Sequence, residues 1–533
     1  MALSRERVVP WASARRVWRL EGWLALVPLW LGIVAWIRPL SSPDEGRYVG
    51  VAWEMLQSGD WLVPTLDGFP FLHKPPLFYW LSALSMEIFG AFPWAARLPS
   101  WLAATGATCA LFAFLRRWSG SQPATAAVII LITCPGWFGG AQFANHDMLV
   151  AACISAAILL AAHAFLSRER GQPYRAALLG AFACAALGVL TKGLIGVVLP
   201  VLVLSIWAVV SGRRAALALL LRPTGLMVFA AIVLPWFVAM QMRYPGFFHY
   251  AFLHQQLDRF ATRGFNNARP WWFYVPVIIG LGLPWTAWWG MARLRSAQAA
   301  AACSTDGSLR SLWWSWIAVV LLFFSIPNSK LVGYALPALP ALAALLGDAW
   351  RPAPLASSPK ALARLAALAA VICVAGTVVM AFADHKSARD LAAALKGRIH
   401  ADDRIVMLDR YVYDARFYLH SSTPPIVVAP WHGAAALVGD GWERELADAA
   451  SFAAPADRQR LVEPTAALAM LCGSTERSWI FADPGAPARF AWLSHARLVY
   501  SSERLAAWEF ERNAHSGACA QDGLIAIPMS DAG

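Results

Sequence analysis

The sequence predicts an α-helical polytopic membrane protein, with about 11–13 transmembrane helices and a small soluble α/β domain at its C-terminal end. Of its 533 residues, 59% are hydrophobic and only 14% are charged, whereas soluble globular chains carry about 25% charged residues. Apolar runs of roughly 16–22 residues recur before Asp384, and such runs are long enough to span a membrane. From Asp384 onward, short segments typical of strands replace them.

The predicted helices follow one another from the N-terminus. Five arginines precede an apolar run that ends near Leu40, which indicates a retained first helix with a cytoplasmic N-terminus. Residues 41–75 form a first extracytoplasmic loop that is too polar to span, and residues 75–92 fit an interfacial or re-entrant helix. Ten further spans are predicted near residues 97–115, 124–141, 147–166, 177–190, 194–210, 226–240, 271–290, 312–326, 331–346 and 362–383.

Charge is distributed unevenly along the chain. Before Asp384, 29 Lys and Arg residues stand against 13 Asp and Glu, and from Asp384 to the end the numbers are 15 and 19. In a membrane protein such a basic excess belongs in cytoplasmic loops, so nucleic acid is not a predicted partner. Eleven spans place the C-terminal residues opposite the N-terminus, and arginines 116/117, 168/170 and 213/214 then share the cytoplasmic side. The predicted domains are residues 1–383 in the membrane and residues 384–533 outside it.

The C-terminal domain is predicted from its patterning. The segments DDRIVMLDRY, PPIVVAP, RSWIFADP, ARLVYSS and GLIAIPM are typical of strands, and SARDLAAALKGRI is typical of an amphipathic helix. Cys472 and Cys519 are either bridged or free, because a disulfide between them depends on an oxidising compartment.

Polar side chains that are costly near a membrane collect on one face under this topology. Six loops contribute them, which indicates an active site rather than scattered surface residues. They are Asp44, Glu45, Arg47, Tyr48, His73, Lys74, Asn145, His146, Asp147, Lys192, His254, Asp258, Arg259, Ser329, Lys330 and Tyr334. Arg97 follows the first loop, and it either orients the helices of that loop or contacts a lipid headgroup.

These residue types suit a displacement at a sugar carbon with a phosphate leaving group. Cations such as Lys74, Arg259 and Lys330 bind a lipid phosphate and stabilise the charge that develops on it. A carboxylate, Asp44 first, activates or orients the acceptor nucleophile. His73 and His254, with a nearby carboxylate, are candidate ligands of a metal ion.

The first loop carries a long ordered motif, PDEGRYVGVAWEMLQSGDWLVPTLDGFPFLHKPPLFYWLSALSMEIFG, followed by AARLPS. It resembles the first loop of the lipid A aminoarabinose transferases. These enzymes and the protein O-mannosyltransferases form part of the GT-C class of polyprenyl-phosphate-sugar-dependent glycosyltransferases. The resemblance continues through HDMLV, TKGLIGVVLP, HQQLDRF and SKLVGYALPALP, and it is weak over the C-terminal domain.

The resemblance implies a GT-C fold and a set of site residues. Asp44, Glu45 and Asp147 would be the catalytic carboxylates. Lys74, Arg259 and Tyr334 would bind the carrier phosphate. Arg47, Tyr48, Lys192 and Lys330 are further substrate-binding candidates because of their place on the polar face. His254 matches a zinc ligand of the family, but His73 stands where these transferases usually carry glutamate. A divalent metal site, zinc in the family, therefore either survives with changed ligands or is absent.

The resemblance also implies the function and its partners. The donor would be a polyprenyl-phosphate-linked sugar, such as 4-amino-4-deoxy-L-arabinose on undecaprenyl phosphate, and the acceptor would be lipid A in the periplasm. The location would be the bacterial inner membrane, with the C-terminal domain periplasmic. Two alternatives remain: transfer to a protein hydroxyl or another envelope glycan, and a non-catalytic flippase for lipid-linked sugars. Transporters tend to have repeated halves and polar groups near the membrane midplane, and the sequence indicates neither.

Overall fold

The membrane part of the protein is a bundle of helices. The computed structural model describes residues 22–251, 267–295, 307–350, 359–383, 386–400, 402–432, 441–511 and 519. The α-helices of the membrane part are Leu26–Gly32, Asp44–Ser58, Leu77–Phe89, Pro93–Trp118, Ser121–Thr133, Pro135–Ala141, His146–Glu169, Arg175–Lys192, Ile195–Val210, Pro223–Arg243, Tyr274–Leu281, Trp285–Arg295, Gly307–Ser325, Leu339–Ala349 and Pro359–Ala383. Short 3-10 turns at Gly22–Ala25, Arg214–Leu221, Trp271–Phe273 and Val332–Ala338 connect or extend them.

Each of the eleven predicted spans coincides with a helical segment. Within the described ranges, seven helices are long and apolar enough to cross a membrane, and an eighth span arises if the bent pair Ser121–Thr133 and Pro135–Ala141 is counted as one. Three predicted spans fall on the shorter apolar helices Gly22–Gly32, Ile195–Val210 and Trp271–Leu281. A helix rises only about 1.5 Å per residue, so helices of this length reach across only part of a bilayer.

The first loop folds into a compact unit between two membrane helices. Its helix Asp44–Ser58, which we call the loop helix, leads into a hairpin of strands β1 (Thr65–Leu66) and β2 (Phe69–Pro70). Asp67 and Gly68 form the hairpin turn with φ of 51° and 78°. Left-handed positions of this kind favour an Asp-Gly pair. The predicted interfacial helix is present as Leu77–Phe89.

A six-stranded sheet forms the core of the C-terminal part, with the strand order β5-β4-β3-β6-β8-β7. Its strands are β3 Arg404–Leu408, β4 Ile426–Val428, β5 Leu461–Val462, β6 Ser478–Ala482, β7 Arg497–Ser501 and β8 Ala506–Phe510. Strands β3 to β6 pair in parallel, and β8 and β7 add antiparallel strands at one edge. Its helices are Arg389–Leu395, Ala415–Leu419, Trp442–Ser451, Pro455–Arg458 and Ala467–Cys472, with 3-10 turns at Pro464–Ala466, Ala486–Ala488 and Ala491–His495.

The predicted strands of the C-terminal part can be compared with this sheet. Four of the five quoted segments contain β3, β4, β6 and β7, and the predicted amphipathic helix contains Arg389–Leu395. The fifth segment, GLIAIPM, lies outside the described residues. Strands β5 and β8 were not predicted, because one has two residues and the other begins with two alanines, which have low strand preference. Cys472 and Cys519 form a disulfide, which answers the question that the sequence left open.

The C-terminal sheet packs directly on the first loop. One apolar cluster combines Val49 and Met55 of the loop helix with Phe417 and Trp479 of the C-terminal part. The hydroxyl of Tyr418 also accepts a hydrogen bond from the amide of Leu40, at 2.8 Å. Because the two units share one core, the sheet fixes the position of the loop helix.

A buried ionic cluster lies at this interface. The Glu54 carboxylate accepts hydrogen bonds at 2.9 Å from the Thr65 hydroxyl and the Gly68 amide, and Arg416 lies 2.6 Å from it. Arg416 also pairs with Asp67 at 3.2 Å. Burial raises the pKa of Glu54, Arg416 lowers it and the Asp67 carboxylate raises it again, which gives a pKa of about 7. Two carboxylates thus share one arginine in a buried site.

Replacing Asp67 by asparagine is expected to weaken the pH dependence of this interface. Because the pKa of Glu54 is raised from 4.5 to about 7 on folding, its contribution to stability is complete below about pH 4.5 and is lost as the pH rises through 7. Asp67→Asn removes one of the charges that raise this pKa, so the loss should be smaller and should be complete at a lower pH. Thermal unfolding in detergent between pH 4.5 and 8 measures the shift.

The matched control for this measurement is Asp402→Asn, because Asp402 is an exposed residue of the same C-terminal part. The control should reproduce the pH profile of the original protein. A profile that is the same in Asp67→Asn and the original protein would show that Glu54 does not titrate in this range.

Candidate active site

A polar cavity lies where the first loop, the ends of two membrane helices and the C-terminal part meet. Its volume is about 470 Å³, within the ~300–1,000 Å³ typical of ligand sites. Its lining residues are Pro43, Asp44, Arg47, Tyr48, His73, Lys74, Asn145, His146, Asp147, Lys192, Asn267, Ser329, Leu331, Tyr334, Tyr413, Gly441, Trp442, Arg444, Glu445 and Asp448. The cavity therefore combines carboxylates and cations from parts of the chain that are far apart in sequence.

Most of the predicted site residues meet in this cavity. Those that line it are Asp44, Arg47, Tyr48, His73, Lys74, Asp147, Lys192 and Tyr334. Helix ends bring the charged ones there: Asp44 begins the loop helix, Asp147 lies in the first turn of its helix and Lys192 ends another. Carboxylates at helix starts and cations at helix ends are favoured by the helix dipole.

Asp44 is the most accessible carboxylate of the loop helix. Its side chain is 54% exposed, and one carboxylate oxygen lies 3.2 Å from the Arg47 guanidinium. Arg47 pairs more closely with Glu445, at 2.7 Å. Arg47 is therefore held by Glu445, and the Asp44 carboxylate keeps most of its surface open to the cavity.

Asp147 and Lys192 form an ion pair in the wall of the cavity. The side chain of Asn145 caps the helix by accepting the Asp147 amide, at 3.0 Å. The Lys192 ammonium lies 4.4 Å from the centre of the Tyr334 ring, a cation–π geometry. Gly333 packs against this pair, because a β-carbon there would overlap the Asp147 carboxylate.

Glu45 lies away from the cavity. It is fully buried, and its carboxylate contacts Arg97 at 2.8 and 2.9 Å and Arg38 at 2.6 Å. It also accepts the amides of Ser41 at 2.9 Å and Ala144 at 2.8 Å. Both of its oxygens accept hydrogen bonds that hold the first loop in place. Glu45 therefore does not face the cavity as the predicted catalytic carboxylate would. Arg97 orients the first loop, the first of the two roles that the sequence left open.

Lys330 is also placed away from the cavity. Its side chain is 3% exposed, and its ammonium donates to the carbonyls of Arg269, at 3.0 Å, and Pro327. Its neighbours Ser329 and Leu331 line the cavity instead. In this arrangement Lys330 fixes the turn that carries them, and it does not face a ligand.

The predicted metal site cannot be assembled from the described ranges alone. His254 and Arg259 lie outside the described residues. His73 Nδ1 lies 3.9 Å from a Glu445 oxygen, and its ring stacks on Phe71. Within the ranges that the structure describes, no group of three or more His, Cys, Asp and Glu residues is arranged to hold a metal ion. The zinc site therefore stays a prediction, which metal analysis of the purified protein would test, and no step is derived through it.

Sequence reasoning missed the contribution of the C-terminal part. Glu445, Tyr413 and Trp442 line the cavity, and the Tyr413 hydroxyl donates to Glu445 at 2.6 Å. Glu445 lies 398 positions from its partner Arg47. One carboxylate among three in a short amphipathic helix gives no signal of such a pairing, so the packing of the sheet on the first loop was needed to find it.

Comparison with known proteins supports the resemblance that the motifs of the first loop indicate. Residues 73–239 match the family described as dolichyl-phosphate-mannose-protein mannosyltransferase. An undecaprenyl phosphate-alpha-4-amino-4-deoxy-L-arabinose arabinosyl transferase of Pseudomonas fluorescens (strain Pf0-1) is 32% identical over 331 residues, covering 61% of this chain and 59% of that protein. The corresponding transferase of Enterobacter sp. (strain 638) is 34% identical over 313 residues, 58% of this chain and 55% of that protein. The chain thus matches somewhat over half the length of these relatives.

Solved structures extend the likeness to nearly the whole chain. ArnT from Cupriavidus metallidurans, bound to undecaprenyl phosphate, superposes with a TM-score of 0.76 at 23% identity and covers 92% of this chain and 98% of its own. The archaeal oligosaccharyltransferase AglB from Archaeoglobus fulgidus has a TM-score of 0.51 at 12% identity, with coverage of 89% and 71%. The predicted fold class and the resemblance of the motifs are therefore confirmed, and this chain has the fold of ArnT.

Proposed function

We propose that the protein is a glycosyltransferase that moves a sugar from undecaprenyl phosphate to a periplasmic acceptor such as lipid A. The observation that carries the proposal is the cavity itself, where an open carboxylate, Asp44, faces cations on a membrane face of an ArnT-like fold. The names of the relatives supply the donor, undecaprenyl phosphate carrying 4-amino-4-deoxy-L-arabinose.

The proposed orientation puts the N-terminus in the cytoplasm and the cavity in the periplasm of the inner membrane. Helix His146–Glu169 has 24 residues, so its ends are about 36 Å apart. Its cavity end carries Asp147, and at its other end Glu169 pairs with Arg213 at 3.0 Å. Arg117 and Arg170 also lie at that other end, beside Gln172 and Trp118, as cytoplasmic cations do. The disulfide between Cys472 and Cys519 suits an oxidising periplasm.

The carrier phosphate would bind beside Lys74 and Lys192. Both lysines also line a second, smaller cavity, walled by Trp236, Phe237 and Phe247. Ammonium groups stabilise the negative charge that grows on the leaving phosphate, and the apolar wall suits the start of the polyprenyl chain. Arg259, outside the described residues, is proposed as a third cation.

The proposed chemical step is one displacement with inversion. An acceptor oxygen forms a bond to the anomeric carbon while the bond from that carbon to the phosphate oxygen breaks, and undecaprenyl phosphate departs with the electron pair. Among the described carboxylates that line the cavity, Asp44 is the exposed one, and its contact with Arg47 is 3.2 Å long. Asp147 pairs with Lys192, and Glu445 pairs more closely with Arg47. Asp44 would accept the proton of a hydroxyl acceptor. With a phosphate acceptor, which is already anionic, it would orient the reactants.

A second acceptor class has support of its own. The family that matches residues 73–239 is named for transfer of mannose to protein, so a protein hydroxyl is the alternative acceptor. A flippase is the alternative outside enzymes, and the ArnT-like fold argues against it.

The deciding experiment is a transfer assay with purified protein. Undecaprenyl phosphate carrying radiolabelled 4-amino-4-deoxy-L-arabinose is incubated in turn with lipid A, with membrane protein and with no acceptor. Label in lipid A supports the proposal, and label in protein supports the alternative acceptor. Absence of transfer, together with movement of the labelled lipid between the leaflets of vesicles that contain the protein, would overturn the enzyme assignment.

Replacing Gly333 by alanine is expected to lower the transfer rate by about tenfold or more. A β-carbon at this position would overlap the Asp147 carboxylate, so the carboxylate and its ion pair with Lys192 would have to move. A misplacement of about 1 Å in an active site can lower the rate by about 100-fold. The control is Gly280→Ala, since a β-carbon at Gly280 meets no atom within 4 Å. Equal rates for the two variants would show that the position of Asp147 is not critical.

A further inference from the structure

His146 is a buried polar residue whose ring has no hydrogen-bond partner in the part of the chain that the structure describes. It is 2% exposed and begins the helix that carries Asp147. Neither ring nitrogen, Nδ1 or Nε2, has a hydrogen-bond partner among the described residues. Even so, His146 lines the large cavity, together with Arg47, Lys74 and Lys192.

Three aromatic rings pack against His146. The ring centres of Tyr48, Phe78 and Tyr79 lie 4.6, 5.0 and 5.0 Å from its own. The Tyr79 hydroxyl is also buried and has no hydrogen-bond partner in the described part of the chain. Two polar side chains are thus packed together among aromatic rings without forming a hydrogen bond with each other.

Such an arrangement is costly unless something else satisfies it. Leaving a buried donor or acceptor unpaired costs about 1–3 kcal/mol, and the great majority of buried polar side-chain atoms have a partner. A phenylalanine would fill the same space among the aromatic rings without the cost of an unpaired polar atom. The histidine is therefore placed to gain its partner from a group that enters the cavity.

The chemistry of the cavity separates two candidate groups. The carrier phosphate is matched by the lysines, which bring three donors each and a full charge. A neutral imidazole offers one donor and one acceptor. It therefore matches a sugar hydroxyl, which can both accept and donate, or a sugar amino group, whose N–H donates to the acceptor nitrogen. An aromatic surrounding favours the neutral ring, and Asp147, the next residue, is taken by Lys192.

We propose that His146 is a specificity-determining residue that hydrogen-bonds a hydroxyl or amino group of the sugar on the donor lipid. The proposal rests on the proposed function, because it assumes that a sugar-carrying lipid phosphate enters this cavity. His146 would distinguish one sugar from another by this hydrogen bond, while Lys74 and Lys192 bind the phosphate common to every polyprenyl donor.

The test compares two lipids that differ only in the sugar. Affinities of purified protein for undecaprenyl phosphate and for undecaprenyl phosphate-4-amino-4-deoxy-L-arabinose are measured for the original protein, His146→Phe and His146→Gln. His146→Phe should lose about tenfold in affinity for the glycosylated lipid, the loss expected for one hydrogen bond, and should bind the bare carrier as before. His146→Gln, which keeps a donor and an acceptor, should recover part of the loss.

A stability measurement separates binding from a structural role. Because His146 has no described partner to lose, the melting temperature of His146→Phe should equal or exceed that of the original protein. A lower melting temperature, equal losses for both lipids, or no loss for either would overturn the proposal. An original protein that binds neither lipid would instead contradict the proposed function.

Discussion

Replacing Asp44 by asparagine is expected to reduce sugar transfer by about 100-fold or more, the range typical of a lost acid–base group. Asparagine keeps the shape of the side chain, but it loses the negative charge and the ability to take a proton. Asp44 is 54% exposed and touches Arg47 at 3.2 Å, so the substitution should leave the fold intact. Initial transfer rates at saturating donor measure the effect.

The matched control is Asp60→Asn, just beyond the other end of the loop helix. Asp60 is exposed and accepts the backbone amide of Leu62 at 2.9 Å, a contact that asparagine also makes. This variant should transfer sugar at the original rate. Binding of undecaprenyl phosphate should survive in both variants, because the lysines hold the phosphate. An Asp44→Asn protein with the original rate would remove Asp44 from the chemical step.

The neighbouring carboxylates Asp44 and Glu45 show what the sequence reveals and what it does not. Both begin the loop helix, and the sequence indicates only that charges there must have a function or a partner. Helical periodicity turns one side chain about 100° from the next, so Asp44 faces the cavity and Glu45 faces Arg97 in the protein interior. The direction of each depends on how the loop helix is rotated, and long-range packing sets that rotation.

The membrane helices and the gathering of the polar loops could be predicted because their signals are local. Apolar runs mark the helices, and the ends of those helices meet on one face, so Lys74, Asp147 and Lys192 were expected together and line one cavity. The C-terminal wall could not be predicted in this way. Glu445 reaches the cavity only because the sheet packs on the first loop through residues such as Phe417 and Trp479, and no local pattern encodes that contact.

The ion pairs of Glu45 make a strong prediction about stability. Arg97 is fully buried, and it donates to both oxygens of Glu45 and to the carbonyls of Ala35, Arg38 and Pro39, at 2.6–2.9 Å. Burial raises the pKa of Glu45, but Arg97 and Arg38 outweigh it and lower the pKa to about 2. Because this pKa lies below its ordinary value of 4.5, the contribution of Glu45 to stability is present above pH 4.5 and lost as the pH falls through 2.

Arg97→Met is therefore expected to destabilise the protein by about 3–5 kcal/mol at neutral pH, the cost of breaking a buried ion pair from one side. Methionine fills the space but leaves the Glu45 charge and three carbonyls without these donors. Chemical unfolding in detergent measures the loss. Arg389→Met is the control, since the exposed Arg389–Asp390 pair contributes at most about 1 kcal/mol.

A double-mutant cycle with Glu45→Gln distinguishes lost charge pairing from lost packing. If the charge left behind in Arg97→Met causes most of the damage, neutralising Glu45 in the same protein should restore part of the stability, and the two substitutions should not be additive. Additive losses would mean that Arg97 acts mainly by filling space. In that case the apolar core that the first loop shares with the C-terminal sheet would orient the loop, and the ion pairs of Glu45 would not contribute to its position.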